Sequence, residues 1–295
     1  MTQRIGIIRP EQVDREDEDL LLARWEGVLE AAARHQVRLV VLPALWGWWF
    51  FLWELGRQLG VPGTLDLMLS APLSSLAIAM ERVLARYGQL ASRWGFWLVG
   101  SALPLVEGEK IWYAVPVLSP EGRVVGWQRQ THLSAAEQTL RLRRGEDLEV
   151  ITTPLGRLGI VLGQDVLMPE VSRILCLLGA EILVHQGIWP EDSRPQWMSR
   201  LWREVQANQV FGLESALVMG QRWGRAACYG PCELTADLSG VLAQTVADDG
   251  QEILVVELDW EALRQVVAHY PIHAMRNEAL YQRYFPAIYT VRESP

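Results

Sequence analysis

Residues Val37-Arg38-Leu39-Val40-Val41-Leu42 form an aliphatic run broken only by Arg38. A strand with one wet face alternates apolar and polar residues, so a nearly continuous run of this length predicts a strand buried on both faces. Such a strand needs cover above and below, which commits the chain to stacked layers. Similar Val- and Ile-rich runs alternate with longer segments of helical period, and that alternation predicts an α/β fold. Half of the 295 residues are hydrophobic and about a fifth are charged, enough apolar surface for a large core.

Along the chain, periodicity predicts a first strand over Arg4–Arg9, a helix over Glu18–His35 and the strand Val37–Leu42, followed by an aromatic loop. A helix over Leu73–Trp94 and strands over Phe96–Leu103 and Ile111–Leu118 come next. The turn residues Ser119-Pro120-Glu121-Gly122 predict an antiparallel hairpin with Arg123–Arg129. A second hairpin is predicted over Leu148–Gly163, turning at Pro154-Leu155-Gly156. Thereafter the pattern predicts a helix near Pro169–Gly179, a strand over Ala180–His185, a helix near Pro195–Phe211 and a strand over Ser215–Gly220. A hairpin near Leu234–Leu258 and a short helix after Trp260 complete it. No internal repeat is visible, and the length fits one domain over residues 1–295 with a C-terminal tail from about 270.

The net charge of −8 argues against nucleic-acid binding, which needs a positive surface. Arg141-Leu142-Arg143-Arg144 reads as a solvated loop. Three cysteines without regular spacing make no disulfide framework, and the start of the chain lacks a signal-peptide core, so a cytoplasmic location is expected. Cys228 and Cys232 alone do not make a metal site, and neither metal nor cofactor is expected. The longest apolar stretch is interrupted by Pro43 and Gly47, and no Lys or Arg lies between Leu39 and Leu55, so a membrane role is not expected.

The segment Gly159-Ile160-Val161-Leu162-Gly163-Gln164-Asp165-Val166-Leu167-Met168-Pro169-Glu170, with Arg173 three residues on, resembles the nucleophile-bearing segment of the nitrilase (carbon-nitrogen hydrolase) superfamily. The resemblance spans Ile5 to about Tyr281. It implies a four-layer αββα sandwich that dimerises through helices into an eight-layer assembly, so a homo-oligomer is expected. It also implies hydrolysis of amide, nitrile or carbamoyl C–N bonds by a Glu-Lys-Cys triad. Each role needs its functional group: a thiolate to attack, a carboxylate to move protons, and a fixed cation for developing charge.

All three positions differ here. Val40-Val41-Leu42-Pro43 leads into Ala44 where the glutamate belongs, Gln128-Arg129-Gln130-Thr131-His132-Leu133 puts Gln130 in place of the lysine, and Gly163 replaces the cysteine. The Arg-Ala-x-Glu-Asn motif retains only Asn208, and Tyr113 stands where an asparagine is common. Glu137 resembles the extra acidic residue that members place beside the lysine, or is an exposed loop carboxylate. Asp165 reads as structural and His132 as a packing histidine. Of 14 tryptophans, four lie in Trp46-Gly47-Trp48-Trp49-Phe50-Phe51-Leu52-Trp53, where Trp46, Trp48 and Trp49 could line a vestigial pocket. Core and oligomer packing is the plainer reading of these rings.

On these substitutions the sequence predicts a scaffolding or binding protein without C–N hydrolase catalysis, with a protein partner or a small amide-like or apolar ligand. Two alternatives stand beside it. One is a hydrolase of an amide or other C–N bond with chemistry relocated to Glu137, Asp165 or His132. The other is a small-molecule sensor that uses Gln130 and the backbone around Gly163.

Overall fold

In the computed structural model, which describes residues 4–11, 18–246 and 250–289, the chain builds two stacked mixed sheets with helices on their outer faces. The first seven strands, β1 (Arg4–Ile8), β2 (Val37–Val41), β3 (Trp97–Val99), β4 (Leu103–Glu107), β5 (Lys110–Leu118), β6 (Val124–Arg129) and β7 (Leu142–Arg143), join one sheet. The next six, β8 (Val150–Thr153), β9 (Gly156–Leu162), β10 (Ile182–Trp189), β11 (Phe211–Val218), β12 (Arg225–Tyr229) and β13 (Val241–Gln244), form the other. The last strand, β14 (Ile253–Glu257), returns to the first sheet and pairs antiparallel with β1. This is the αββα sandwich that the resemblance implies.

Helices α1 (Glu18–Arg34), α2 (Trp46–Leu59), the single turn α3 (Leu67–Ser70) and α4 (Leu73–Trp94) accompany the first sheet. The short α5 (Ala135–Gln138) follows β6. Helix α6 (Pro169–Leu177) and the broken stretch α7 (Arg194–Trp197), π-turn (Met198–Trp202) and α8 (Arg203–Asn208) cover the second sheet; α9 (Trp260–His269) and α10 (Glu278–Ile288) follow β14. No helix among the described residues is long and apolar enough to cross a membrane.

The strand period of two sorts the side chains by face. Along β10, Ile182 and Val184 enter the core between the sheets, whereas Leu183 and Trp189 pack under α6 and α8. Strand β2 is fully buried except at Arg38, as its composition demands. The two hairpins, β5–β6 and β8–β9, form antiparallel as expected.

Five expectations fail. The run Phe96–Leu103 is not one strand, since β3 ends at Val99 and β4 begins at Leu103. Arg141-Leu142-Arg143-Arg144 is not a solvated loop, because Leu142 is buried in β7 and Arg141 donates to the Met68 and Ala71 carbonyls. The supposed aromatic loop is helix α2, because Trp46, Phe50 and Trp53 recur on one side and Gly47 lets its first turn touch the neighbouring chain. A Cβ on Gly47 would lie 2.3 Å from the Ala102 carbonyl oxygen. The helix near Pro195–Phe211 is interrupted at Arg200, whose φ of −106° and ψ of −129° are non-helical. The last predicted hairpin does not exist: β13 pairs with β12 and β14 with β1, so the two strands join different sheets.

One buried amide connects those sheets. Gln186 on β10 donates to the carbonyls of Leu42 (2.7 Å) and Gly100 (2.8 Å), and its Oε1 accepts from Ala102 N (3.1 Å). Its register partner Ser215 donates to the Ile8 carbonyl at 2.8 Å. These groups mark the C-terminal ends of β1, β2 and β3, where the departing chain leaves carbonyls that the ladder no longer satisfies. Replacing Gln186 with leucine should lower the unfolding free energy by roughly 3 kcal/mol or more, because several buried backbone groups lose partners together. Urea unfolding followed by tryptophan fluorescence checks this, and an unchanged midpoint would contradict the clamp.

Candidate active site

Gln130 and Gly163 meet just beyond the ends of β6 and β9. Strand β9 ends at Leu162 and the chain turns into a 3-10 segment at Gly163, whose φ is +54°. Bending strand into turn in so little length requires this left-handed conformation, which glycine adopts without strain. Above Gly163 lies the Gln130 side chain: a Cβ added to the glycine would sit 3.0 Å from Gln130 Nε2 and 3.5 Å from its Oε1.

Gln130 follows β6 directly and is fully buried. Its backbone N–H donates to the Tyr113 carbonyl (2.8 Å) and its carbonyl accepts from Gly145 N (2.7 Å). The side-chain Nε2 donates to the His132 carbonyl (2.8 Å) and to Glu137 Oε2 (3.2 Å). Both partners are acceptors, which fixes the orientation of the amide. Its Oε1 is buried without a hydrogen-bond partner.

Glu137 is placed by a capping box. Ser134 N donates to Glu137 Oε2 at 2.7 Å, and Glu137 N donates to Ser134 Oγ at 3.3 Å. One carboxylate oxygen therefore serves both Ser134 and Gln130, while Oε1 makes no hydrogen bond among the described residues. The carboxylate is thus half-buried and positioned, unlike a free loop side chain.

Tyr113 and Trp48 form the adjoining wall. Their rings lie 5.5 Å apart, and both residues are buried. Burial raises the Tyr113 pKa, and the negative charge of Glu137 pushes it the same way, so the phenol stays protonated.

Asp165 holds the neighbouring loop. It accepts from Thr131 N (2.9 Å), Thr131 Oγ1 (2.8 Å) and His132 N (2.7 Å), with His132 Nδ1 at 3.0 Å. Burial raises its pKa, and these hydrogen bonds oppose the rise. His132 thereby belongs to the Asp165 cluster, and its half-exposed ring pairs with this carboxylate.

Ala44 lies buried on the turn whose Leu42 carbonyl is taken by Gln186, and its neighbour Leu45 adopts φ +76°. Its methyl group supplies no acid or base. Of the tryptophans proposed for the pocket, only Trp48 reaches Tyr113. Trp46 instead stacks on Trp25, with centroids 3.7 Å apart, and Trp49 is half-buried. Gln186 lies one residue past His185, where the sequence pattern ends the strand, and its signal there is one amide inside a largely apolar run.

No thiol substitutes for the missing one. Burial pushes Cys176 and Cys228 up to about 12, and burial also raises Cys232. A thiol so shifted is uncharged at neutral pH and is a poor nucleophile. Among the described residues no group of three or more His, Cys, Asp or Glu could hold a metal ion.

A model of the carbon-nitrogen hydrolase family matches residues 4–267. The chain belongs to the carbon-nitrogen hydrolase family. Among similar family proteins, the human deaminated glutathione amidase is 25% identical over 238 residues, covering 75% of this chain and 72% of that one. Omega-amidase NIT2 of Xenopus tropicalis is 22% identical over 205 residues, 66% of this chain and 73% of that one. In structure, a Helicobacter pylori carbon-nitrogen hydrolase superposes with a TM-score of 0.73 at 21% identity, covering 96% of this chain and 98% of that one. An amidase from Nesterenkonia AN1 gives 0.70 at 17% identity, covering 96% and 98%.

These relatives overturn the expectation of a scaffolding or binding protein without C–N hydrolase catalysis. They are named as amidases, and the matches extend over most of the carbon-nitrogen hydrolase chain.

Replacing Gly163 with alanine should destabilise the protein by about 1–3 kcal/mol, because a Cβ is strained at positive φ and also presses on Gln130. Adding Gln130→Ala should relieve only the contact. Chemical denaturation of the single and double variants checks this; a neutral single substitution would contradict the turn geometry.

Proposed function

We propose that the protein hydrolyses the C–N bond of a small amide by direct attack of water, without an acyl-thiol intermediate. The observation that carries this is the carboxylate of Glu137, with Oε2 anchored and Oε1 uncommitted, beside the unpartnered Oε1 of Gln130. Gln130 Oε1 accepts an N–H of the substrate amide. Tyr113, kept protonated by its burial, donates its O–H to the substrate oxygen.

In the first step Glu137 removes a proton from water as the water oxygen forms a bond to the carbonyl carbon. The carbonyl π electrons move to oxygen, where the Tyr113 proton stabilises the charge. In the second step Glu137 returns the proton to nitrogen, the C–O double bond re-forms and the C–N bond breaks. The products are a carboxylic acid and ammonia or an amine. Asp165 holds Thr131 and His132 and so fixes the loop that carries Glu137.

The test is ammonia release from a panel of small primary amides. Wild type should turn over, and Glu137→Gln should reduce kcat by about 10²–10⁴, the range for losing a general base. Absence of turnover, or full activity in Glu137→Gln, would contradict the reading. Calorimetric binding of an amide with no ammonia release from either protein would favour the sensor that the buried Gln130 acceptor also suits.

A further inference from the structure

The outer face of the second sheet carries a polar cluster that the candidate active site does not use. Strand β10 turns His185, Gly187 and Trp189 toward the broken helix. Opposite His185 in register is Glu214 on β11, and Arg200 comes down from the π-turn. His185, Arg200 and Glu214 are almost completely inaccessible, and Trp189 is 8% exposed.

His185, Arg200 and Glu214 are each anchored on one side. His185 Nδ1 faces the Val161 carbonyl at 2.8 Å, Arg200 Nη2 pairs with Asp192, and Glu214 Oε2 accepts from the Tyr229 hydroxyl at 2.7 Å. Each is also unpartnered on the other: His185 Nε2, Arg200 Nε and Glu214 Oε1, like Trp189 Nε1, are buried without a hydrogen bond. His185 Nε2 and Trp189 Nε1 share the space over Gly187, with Arg200 over the Trp189 ring and Glu214 beside His185 in register. A Cβ on Gly187 would lie 2.6 Å from His185 Nε2 and 2.7 Å from Trp189 Nε1, and the Arg200 guanidinium lies 4.7 Å from the Trp189 ring centroid.

The chemistry of the four atoms selects the occupant. With its Nδ1 proton given to Val161, neutral His185 presents a lone pair at Nε2; burial holds its pKa at about 4. Trp189 Nε1 and Arg200 Nε are donors only, and Glu214 Oε1 is a carboxyl oxygen. A cation would oppose the two N–H groups, and an anion would oppose the imidazole lone pair and the carboxyl oxygen. A neutral molecule with two lone pairs and two protons meets all four, and because even a Cβ at Gly187 would crowd His185 Nε2 and Trp189 Nε1, only the smallest such molecule fits.

We infer that these four atoms form an internal site for one water molecule, which accepts from Trp189 and Arg200 and donates to His185 and Glu214. This water links the sheet to the π-turn, which departs from helical geometry at Arg200 itself. It also steadies Asp192, shared between Arg200 and Arg225. Buried waters of this kind typically make about three hydrogen bonds and substitute for direct ones.

A crystal structure of the full chain at about 1.5 Å resolution tests this. The expected result is one round density peak within about 2.7–3.2 Å of His185 Nε2, Trp189 Nε1 and at least one of the other two atoms. The peak should be lost or displaced in Trp189→Phe, which preserves the ring contact but removes the donor. No density in wild type, density larger than one water, or an unmoved peak in Trp189→Phe would overturn the assignment.

Discussion

Gln186 bridges two sheets that otherwise meet mainly through apolar side chains. Hydrophobic contact between sheets is strong but non-directional, and would tolerate small slides of one layer over the other. A buried amide with three fixed backbone partners does not, because any slide leaves polar groups unpaired in a dry interior. With Ser215 it gathers the ends of β1, β2 and β3 onto β10 and β11. The turn carrying Ala44 and Leu45 begins at one of those ends, so this part of the candidate site inherits its position from the clamp.

Within that frame the substituted positions behave as a set. Gly163 offers no side chain, and the Gln130 amide lies over the space that one would enter. Gln130 in turn is oriented by Glu137, and Glu137 by the capping box of α5. The three groups therefore constrain one another. A thiol at 163 would press on the amide, while a lysine at 130 would lack the oxygen that here faces inward. Reading each position separately against a triad misses this coupling.

Much of the fold was legible in the chain. The aliphatic run at Val37–Leu42, the turn residues at 119–122 and the helical period of Leu73–Trp94 act locally, and the structure follows them. The miss at α2 was local, a helical recurrence of Trp46, Phe50 and Trp53, whereas other failures were long-range. Nothing local in β13 and β14 states that they join different sheets, and the π-turn at Arg200 answers to its partner Asp192 and the Trp189 ring beneath it. At the site, Gln130 lies over Gly163 and hydrogen-bonds Glu137. The sequence could not show that Trp46 would stack on Trp25 while Trp48 met Tyr113, since both sit two residues apart on the same helix. The functional expectation is overturned by the comparisons, whose relatives are named as amidases.

The central claim is that water, and not a protein side chain, attacks the amide carbon beside Gly163. Intact-protein mass spectrometry during turnover of a small primary amide, with hydroxylamine present, tests it most directly. Direct water attack predicts an unmodified chain throughout and a free carboxylic acid as product, with no hydroxamate. A mass increase equal to the acyl group, or diversion of product to hydroxamate, would show a covalent acyl-enzyme and contradict the account.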